Sequence, residues 1–350
     1  MTTTVTDDAA RAVTNGGIEI RPAAVDAETW NGYVEQSRQG TAFHYRQFLD
    51  VVADHADATV HKLVGYKGQE PVGLFPVFEI RKGPVTTAFS PPPNMGLSQM
   101  GPAMLNLGGM KRRREEKRVH RFVEAGLEWI DRVVAPSYVH VRTHHSYGDH
   151  RPFIWNGFDL SSRYTYVVDL SPGADEVIGE FSSDARRNVR RTDDDDYRIE
   201  ERGAGAVGAV IDHVDRRHRR QGLDFPVTAA FVGDLFDRLP DGTIRAYVCE
   251  VDGEYASGMI TLEDDRTVYR WEGGARPLHD VDVPVNDLLD WRVITDAIDR
   301  GRTQYDLLGA NTPQLCDYKS KFGPELVSYQ AAESGTRTMR LFSRLYRRLH

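Results

Sequence analysis

The sequence predicts an α/β fold with mixed α+β sheets, built as two related halves. Three observations carry this. Helical and strand-like patterns alternate along the whole chain, which favours layered α/β architectures. A hairpin pattern with glycines at matching positions recurs in the two halves. The 350 residues, 40% of them hydrophobic, suffice for two cores.

The elements follow in order. The first 16 residues, polar and without an apolar run, read as a disordered tail. "LVGYKGQEPVGLFPVFE" (63–79) then reads as strand, tight turn and strand, with Gly68 and Gly73 placed as Gly253 and Gly258 are in "VCEVDGEYASGMITLE" (248–263). The Asp252–Gly253 pair is a strong hairpin signal and Lys67–Gly68 a weaker one. Val119, Phe122, Val123, Leu127, Ile130, Val133 and Val134 share one face at helical spacing, so a helix is expected over 112–134. A second helix is expected over 284–300, with Pro284 in its first turn and Gly301 at its end. Further strand-like runs are "YVHVR", "YTYVVDL", "IRAYVCEV", "TVYRWEGG" and "YDLLGA". The expected organisation is a tail (1–16), a first domain (17–165), a second domain carrying the site (166–335) and a basic C-terminal helix (336–350).

Composition excludes several classes. The net charge of −8 and a pI near 5.9 are not those of a general nucleic-acid binder, so no DNA partner is expected. Cys249 and Cys316 form neither a metal-binding spacing nor a disulfide framework, which points to a reducing compartment and to no redox or metal chemistry. "MTTTVTDDAARAVTNGG" has no apolar core of a signal peptide, and no run of 18 apolar residues predicts a membrane span. A cytoplasmic protein is expected.

Two stretches stand out for chemistry. "FSSDARRNVRR" (181–191) puts Arg186 and Arg190 one helical turn apart, and likewise Arg187 and Arg191. Like charges at that spacing repel. The segment therefore either grips an anion, since guanidinium forks bind phosphate bidentately, or is neutralised locally by Asp193–Asp196. The second stretch is "DYKSKFG" (317–323). Arginine outnumbers lysine 37 to 7, and no lysine falls between residues 118 and 318. Lys319 and Lys321 then arrive together, where a compact ammonium rather than a planar fork is wanted, or as incidental surface residues.

These residues resemble the FemABX-type acyltransferases and their relatives within the GNAT (GCN5-related N-acetyltransferase) superfamily. Four pieces carry the resemblance: the Arg-rich "FSSDARRNVRR", "VYRWEGGA" (268–275), "WRVITDAIDRGRTQYDLLGA" (291–310) and "DYKSKFG", which looks like the family's aromatic-Lys-x-x-Phe-Gly element. "GTAFHYRQFLDVV", "GQEPVGLFPV" and "SPPPNMGLSQMGP" extend it to about residues 18–330. The resemblance implies two tandem GNAT-like domains that transfer an acyl or aminoacyl group to an amine. It implies acyl-CoA or aminoacyl-tRNA as co-substrate, hence a tRNA partner where the latter serves, with no tightly bound cofactor. The acceptor is then a small-molecule or peptide amine. The chain lacks the heptad repeat of the long helical arm found in peptidoglycan-building members, and the GNAT loop Gln/Arg-x-x-Gly-x-Gly/Ala is not clearly present.

Acyl transfer to an amine needs a base for the amine proton and donors for the negative oxygen of the tetrahedral intermediate. Lys319 is the expected cation for that oxygen or for a donor phosphate, with Lys321 as a further ligand contact. Glu272 and Asp306, at strand ends, are the expected bases. Trp271 and Tyr305 are expected to line the cleft or to sit in the core. The alternative reading is a catalytically inactive GNAT-like protein that binds a phosphorylated ligand or a protein partner. "THHSYGDH" (143–150) reads as a loop or cleft wall rather than a metal site, because adjacent histidines on a strand point apart. "SPPPNMGLSQMGP" (90–102) reads as a rigid substrate-binding loop or a plain connector.

Overall fold

A computed structural model describes residues 12–192, 196–336 and 339. The chain divides into two compact units. Unit 1 comprises the described residues up to Ser162 together with those from Tyr329 onward, and unit 2 is Arg163–Ser328.

Unit 1 holds β1 (Val13–Asn15), β2 (Ile18–Pro22), α1 (Ala27–Gln36), α2 (Arg46–His55), β3 (Thr59–Lys67), β4 (Glu70–Lys82), β5 (Val85–Ser90), β6 (Ala103–Met104), α3 (Arg112–Trp129), β7 (Tyr138–Arg142) and α4 (Arg151–Trp155). Its sheet runs β1-β2-β3-β4-β5-β7, with β6 beside β4. Neighbours are antiparallel except β5 and β7, which are parallel. Phe122 of α3 fills the space over Gly65 and Gly73, where an added Cβ would lie 2.5 and 2.8 Å from its ring. Glycine at both positions therefore lets the helix close on the hairpin, and Phe75, Phe122, Trp129 and Phe153 form the buried core.

Unit 2 begins within β8 (Asp159–Asp169). Next come α5 (Ala174–Glu180), α6 (Ser183–Arg191), β9 (Arg198–Glu201), α7 (Val207–Arg220), α8 (Ala229–Arg238), β10 (Ile244–Val251), β11 (Glu254–Glu263) and β12 (Thr267–Gly273). Then follow α9 (Val285–Asp299), β13 (Gln304–Asp306) and α10 (Pro313–Lys319). The strand order is β8-β13-β12-β11-β10-β9, antiparallel except for β12 beside β13. Each unit thus repeats one plan: a hairpin, a third antiparallel strand, a helix, and a return strand parallel to the third. The turns at Gly68 and at Asp252–Gly253 adopt positive φ, as the hairpin signals require. Among the described residues no helix is long and apolar enough to cross a membrane.

Three expectations change, and one falls largely outside the described residues. The tail does not extend to residue 16: Val13 pairs with Ile20 across a turn at Gly16–Gly17 and joins the core, so the short polar run hides a strand. The boundary between the halves falls at 162/163, and Tyr329–Gly335 belongs to unit 1, because β14 (Glu325–Gly335) pairs Ala331–Gly335 with Tyr138–Arg142 of β7. "YDLLGA" is strand only as far as Asp306. The basic helix over 336–350 lies, but for Thr336 and Met339, outside the described residues, as do Asp193, Asp194 and Asp195.

Candidate active site

The parallel strand pair differs between the two units. In unit 1, Thr87–Ser90 of β5 pairs with Tyr138–Val141, and the ladder is prolonged by a bridge from Met100 to Thr143. The loop 90–102 folds back to make that bridge: Met100 N donates to Arg142 O at 2.9 Å, and Gly101 N donates to Ser90 Oγ at 3.1 Å. The loop thus closes this edge of unit 1. In unit 2, β12 and β13 pair only through Thr267–Tyr269 and Gln304–Asp306. β12 then continues through Arg270, Trp271, Glu272 and Gly273, bonded to β11 alone. The register slips between Ile260 and Thr261, opposite Trp271. Such a bulge re-aims the side chains after it. The strands part, and chemistry-bearing residues gather where they part.

Asp306 holds the turn that follows β13. Its Oδ1 accepts from Thr165 Oγ1 at 2.5 Å and from Leu308 N at 2.9 Å, while Gly309 N donates to Thr165 Oγ1 at 3.1 Å. Leu308 and Gly309 both adopt positive φ. Their carbonyls turn toward Lys319 at the end of α10, whose Nζ donates to Leu308 O at 2.6 Å and to Gly309 O at 3.0 Å. Lys319 is only 5% exposed. Burial pushes its ammonium down to about 8, the Arg270 guanidinium adds to the shift, and Asp306, Asp290 and Cys316 oppose it. The partly buried Glu272 moves the other way. Burial pushes its carboxyl up to about 8, against the pull of Lys319 and Arg270. Oppositely shifted groups set close together are a signature of functional sites.

Beneath them lies a network that sequence reasoning missed. Arg270 Nε donates to Asp290 Oδ1 at 2.8 Å. The same oxygen accepts from Tyr305 OH at 2.6 Å, and Oδ2 accepts from Tyr318 OH at 2.6 Å. Asp290 is fully buried, and the Arg270 guanidinium lies over the Tyr318 ring, 5.7 Å from its centre. The one sequence signal for the pair is a charged residue set among the apolar positions of both β12 and α9.

The remaining sequence-predicted residues take varied places. Tyr305 is fully buried and bonds to Asp290, while Trp271 packs edge-on against Phe231 of α8, 5.8 Å between ring centres. Both therefore belong to the core of unit 2. Lys321 is no surface residue: its Nζ pairs with Asp287 of α9 and lies 4.4 Å from the centre of the Tyr318 ring. Arg186 Nη1 donates to Gly179 O at 2.9 Å, tying α6 to the end of α5. Arg187, Arg190 and Arg191 are exposed, while Asn188 of the same helix reaches Asp287 at 2.8 Å. In 143–150, His144 bonds to Ser146, His150 to Thr143, and Asp149 to His120 and Arg151. Among the described residues there is no group of three or more His, Cys, Asp or Glu arranged to hold a metal.

Residues 179–320, which contain the splay, Glu272 and Lys319, match the model of the family described as "Acetyltransferase (GNAT) domain". No curated protein matches the sequence. Among solved structures the chain is similar to FemX, with a TM-score of 0.71 and 11% identity over 88% of this chain and 96% of that one. It is also similar to L-PGS from Bacillus licheniformis, with a TM-score of 0.54 and 11% identity over 93% and 96% of the two chains. A tandem GNAT protein from the clavulanic acid biosynthesis pathway gives 0.50 and 12% over 91% and 98%. Residues 179–320 thus match a GNAT acetyltransferase domain, and the chain has a fold similar to those of FemX and of a tandem GNAT protein.

Proposed function

We propose that the chain is an N-acyltransferase that moves an acyl or aminoacyl group directly onto an amine at the splay of β12 and β13, with no covalent enzyme intermediate. The observation that carries this is Lys319, held at the splay by the Leu308 and Gly309 carbonyls. An ammonium has three N–H groups. Two are engaged here, and the third is left for the oxygen that becomes negative when the amine attacks. The acceptor nitrogen bonds to the carbonyl carbon, and the bond from that carbon to the leaving oxygen or sulfur breaks. Glu272 takes a proton from the amine, and the leaving group takes one as it departs. A carboxylate near 8 suits a base working close to neutrality. Asp306 acts through the 306–309 turn that positions Lys319.

Acyl-CoA and aminoacyl-tRNA both supply the activated carbonyl, and a small-molecule or peptide amine accepts it. The free cysteines, Cys249 and Cys316, support a cytoplasmic setting. The test is transfer by wild type, Lys319→Ala and Glu272→Gln from a panel of acyl-CoAs and an aminoacyl-tRNA mimic to a pool of amines. Each substitution should lower kcat by about 100-fold or more. A wild type that consumes no donor, yet is stabilised against heat by one, sinks this reading in favour of a binding protein.

A further inference from the structure

Glu272 takes the amine proton in the proposed reaction, yet its side chain is fastened by no bond of its own. Among the described residues its carboxyl makes no hydrogen bond and no ion pair, and the charges near it are those of Lys319 and Arg270. Its place is therefore set by the backbone on either side. On one side that backbone is the ladder between β11 and β12, which ends at the pair Met259–Gly273. On the other side the next three residues are fastened one by one.

Gly274 N donates to Gly258 O at 2.7 Å. Ser257, fully buried on β11, donates from Oγ to Ala275 O at 2.8 Å. The third residue is held by His213 of α7, whose Nε2 lies 3.1 Å from Arg276 O. A carbonyl only accepts, so Nε2 carries the proton, and Nδ1 is left to accept from Tyr255 OH at 3.3 Å. Burial lowers the pKa of His213, the Arg276 carbonyl opposes the shift, and the charges of Arg216, Arg217 and His279 add to it. The ring is therefore neutral at pH 7 and keeps this one donor for Arg276. α7 comes this close to β11 because residue 258 is glycine: a Cβ there would lie 2.5 Å from Val210 Cγ2, one turn before His213. The fastened segment also presses on the splay. A Cβ on Gly274 would lie 1.8 Å from Arg270 Nη2, so a shift of this backbone is felt at Arg270 as well as at Glu272.

We propose that Ser257 and His213 are positioning residues for acyl transfer: they clasp the backbone of Ala275 and Arg276, and through it they keep the Glu272 carboxyl partly withdrawn from water at the splay. The effect on turnover rests on the acyltransferase reading, whereas the placement of Glu272 is measured without it.

Carbon-13 titration of the glutamate carboxyls tests it, with Glu272 identified as the signal that Glu272→Gln removes. In wild type that signal should titrate near 8. In Ser257→Ala and His213→Ala, each first shown to melt cooperatively, water gains the carboxyl and the titration should fall by at least about one pH unit. His213→Gln, whose amide N–H replaces Nε2–H, should recover at least about half of that shift. In a transfer assay the two alanine variants should lower kcat by about tenfold or more while KM changes by less than about threefold. Should His213→Ala fail to fold, Ser257→Ala decides. Folded alanine variants whose Glu272 still titrates near 8 overturn the proposal. So does a wild-type Glu272 that titrates below about 6, and so does a His213→Gln that behaves as His213→Ala. If wild type transfers an acyl group and the titration does not move in the variants, the acyltransferase reading stands and only this inference fails. If wild type transfers from no donor while the titrations come out as expected, the acyltransferase reading fails and the clasp on Glu272 stands.

Discussion

Arg270 and Asp290 form a buried ion pair, Nε to Oδ1 at 2.8 Å, directly beneath the residues proposed to do chemistry. Every oxygen of Asp290 is engaged, by Arg270 and Tyr305 on one side and by Tyr318 on the other. Removing one partner strands the other charge in the core. Arg270→Met and Asp290→Ala should each cost about 3–5 kcal/mol, read from urea denaturation midpoints. A loss below about 1 kcal/mol would show that the pair is hydrated and the core reading mistaken.

Glu272 sets a pH dependence of stability. Its folded carboxyl is raised to about 8 from an ordinary 4.5, so the folded state holds a proton that the unfolded state releases across that window. Its contribution to stability is present below 4.5 and is lost as pH rises through 8. Glu272→Gln removes this term. The variant should therefore gain on wild type between pH 5 and pH 9, checked by denaturation at both. A constant difference between the two curves contradicts the shift.

Lys319 carries the opposite sign. Its folded amine sits at about 8 against an ordinary 10.5, so the unfolded state binds the extra proton between those values. Burying the ammonium costs stability below 8, and that cost is relieved as pH rises toward 10.5. Only seven lysines occur, so selective isotope labelling makes its titration readable by NMR. One lysine should titrate near 8 and disappear in Lys319→Met. In Arg270→Met that titration should move upward, because a neighbouring positive charge is gone.

Gly273 marks the end of β12 with φ of +106°, and a Cβ there would lie 2.4 Å from Gly258 O and 2.7 Å from Met259 Cα. Both contacts are backbone and cannot swing aside. Gly273→Ala should cost about 1–3 kcal/mol and lower acyl transfer more than Gly253→Ala, whose Cβ would meet nothing. Equal effects at the two glycines would mean that strain alone, and not the shape of the splay, is being measured.

In unit 1, Phe122→Ala should cost about 3–5 kcal/mol by emptying the space over Gly65 and Gly73. Thermal unfolding followed by fluorescence of the neighbouring Trp129 reports it.

Local signals were the legible ones. Helical spacing located α3 and α9, the Asp-Gly and Lys-Gly turns located the two hairpins, and lysine scarcity singled out Lys319. What escaped was assembled from distant segments. Arg270, Asp290, Tyr305 and Tyr318 lie on three elements and in one turn-bounded helix, and nothing in any one of them announces the others. The arginine cluster was only partly legible for a related reason. Spacing makes Arg186 and Arg190 equivalent, yet Arg186 turns back to Gly179 O and the residue that reaches α9 is the uncharged Asn188. The division of the chain was also obscured, because β14 continues from unit 2 without a break in pattern but ends on β7.

That last pairing has a consequence for how the protein is made. Translation runs from N-terminus to C-terminus, and β7 is complete long before Ala331–Gly335 emerges. Throughout synthesis of the whole of unit 2, the Tyr138–Arg142 edge waits with open N–H and C=O groups, the kind of edge that recruits other chains. Truncation anywhere before residue 331 therefore injures the half that was synthesised first.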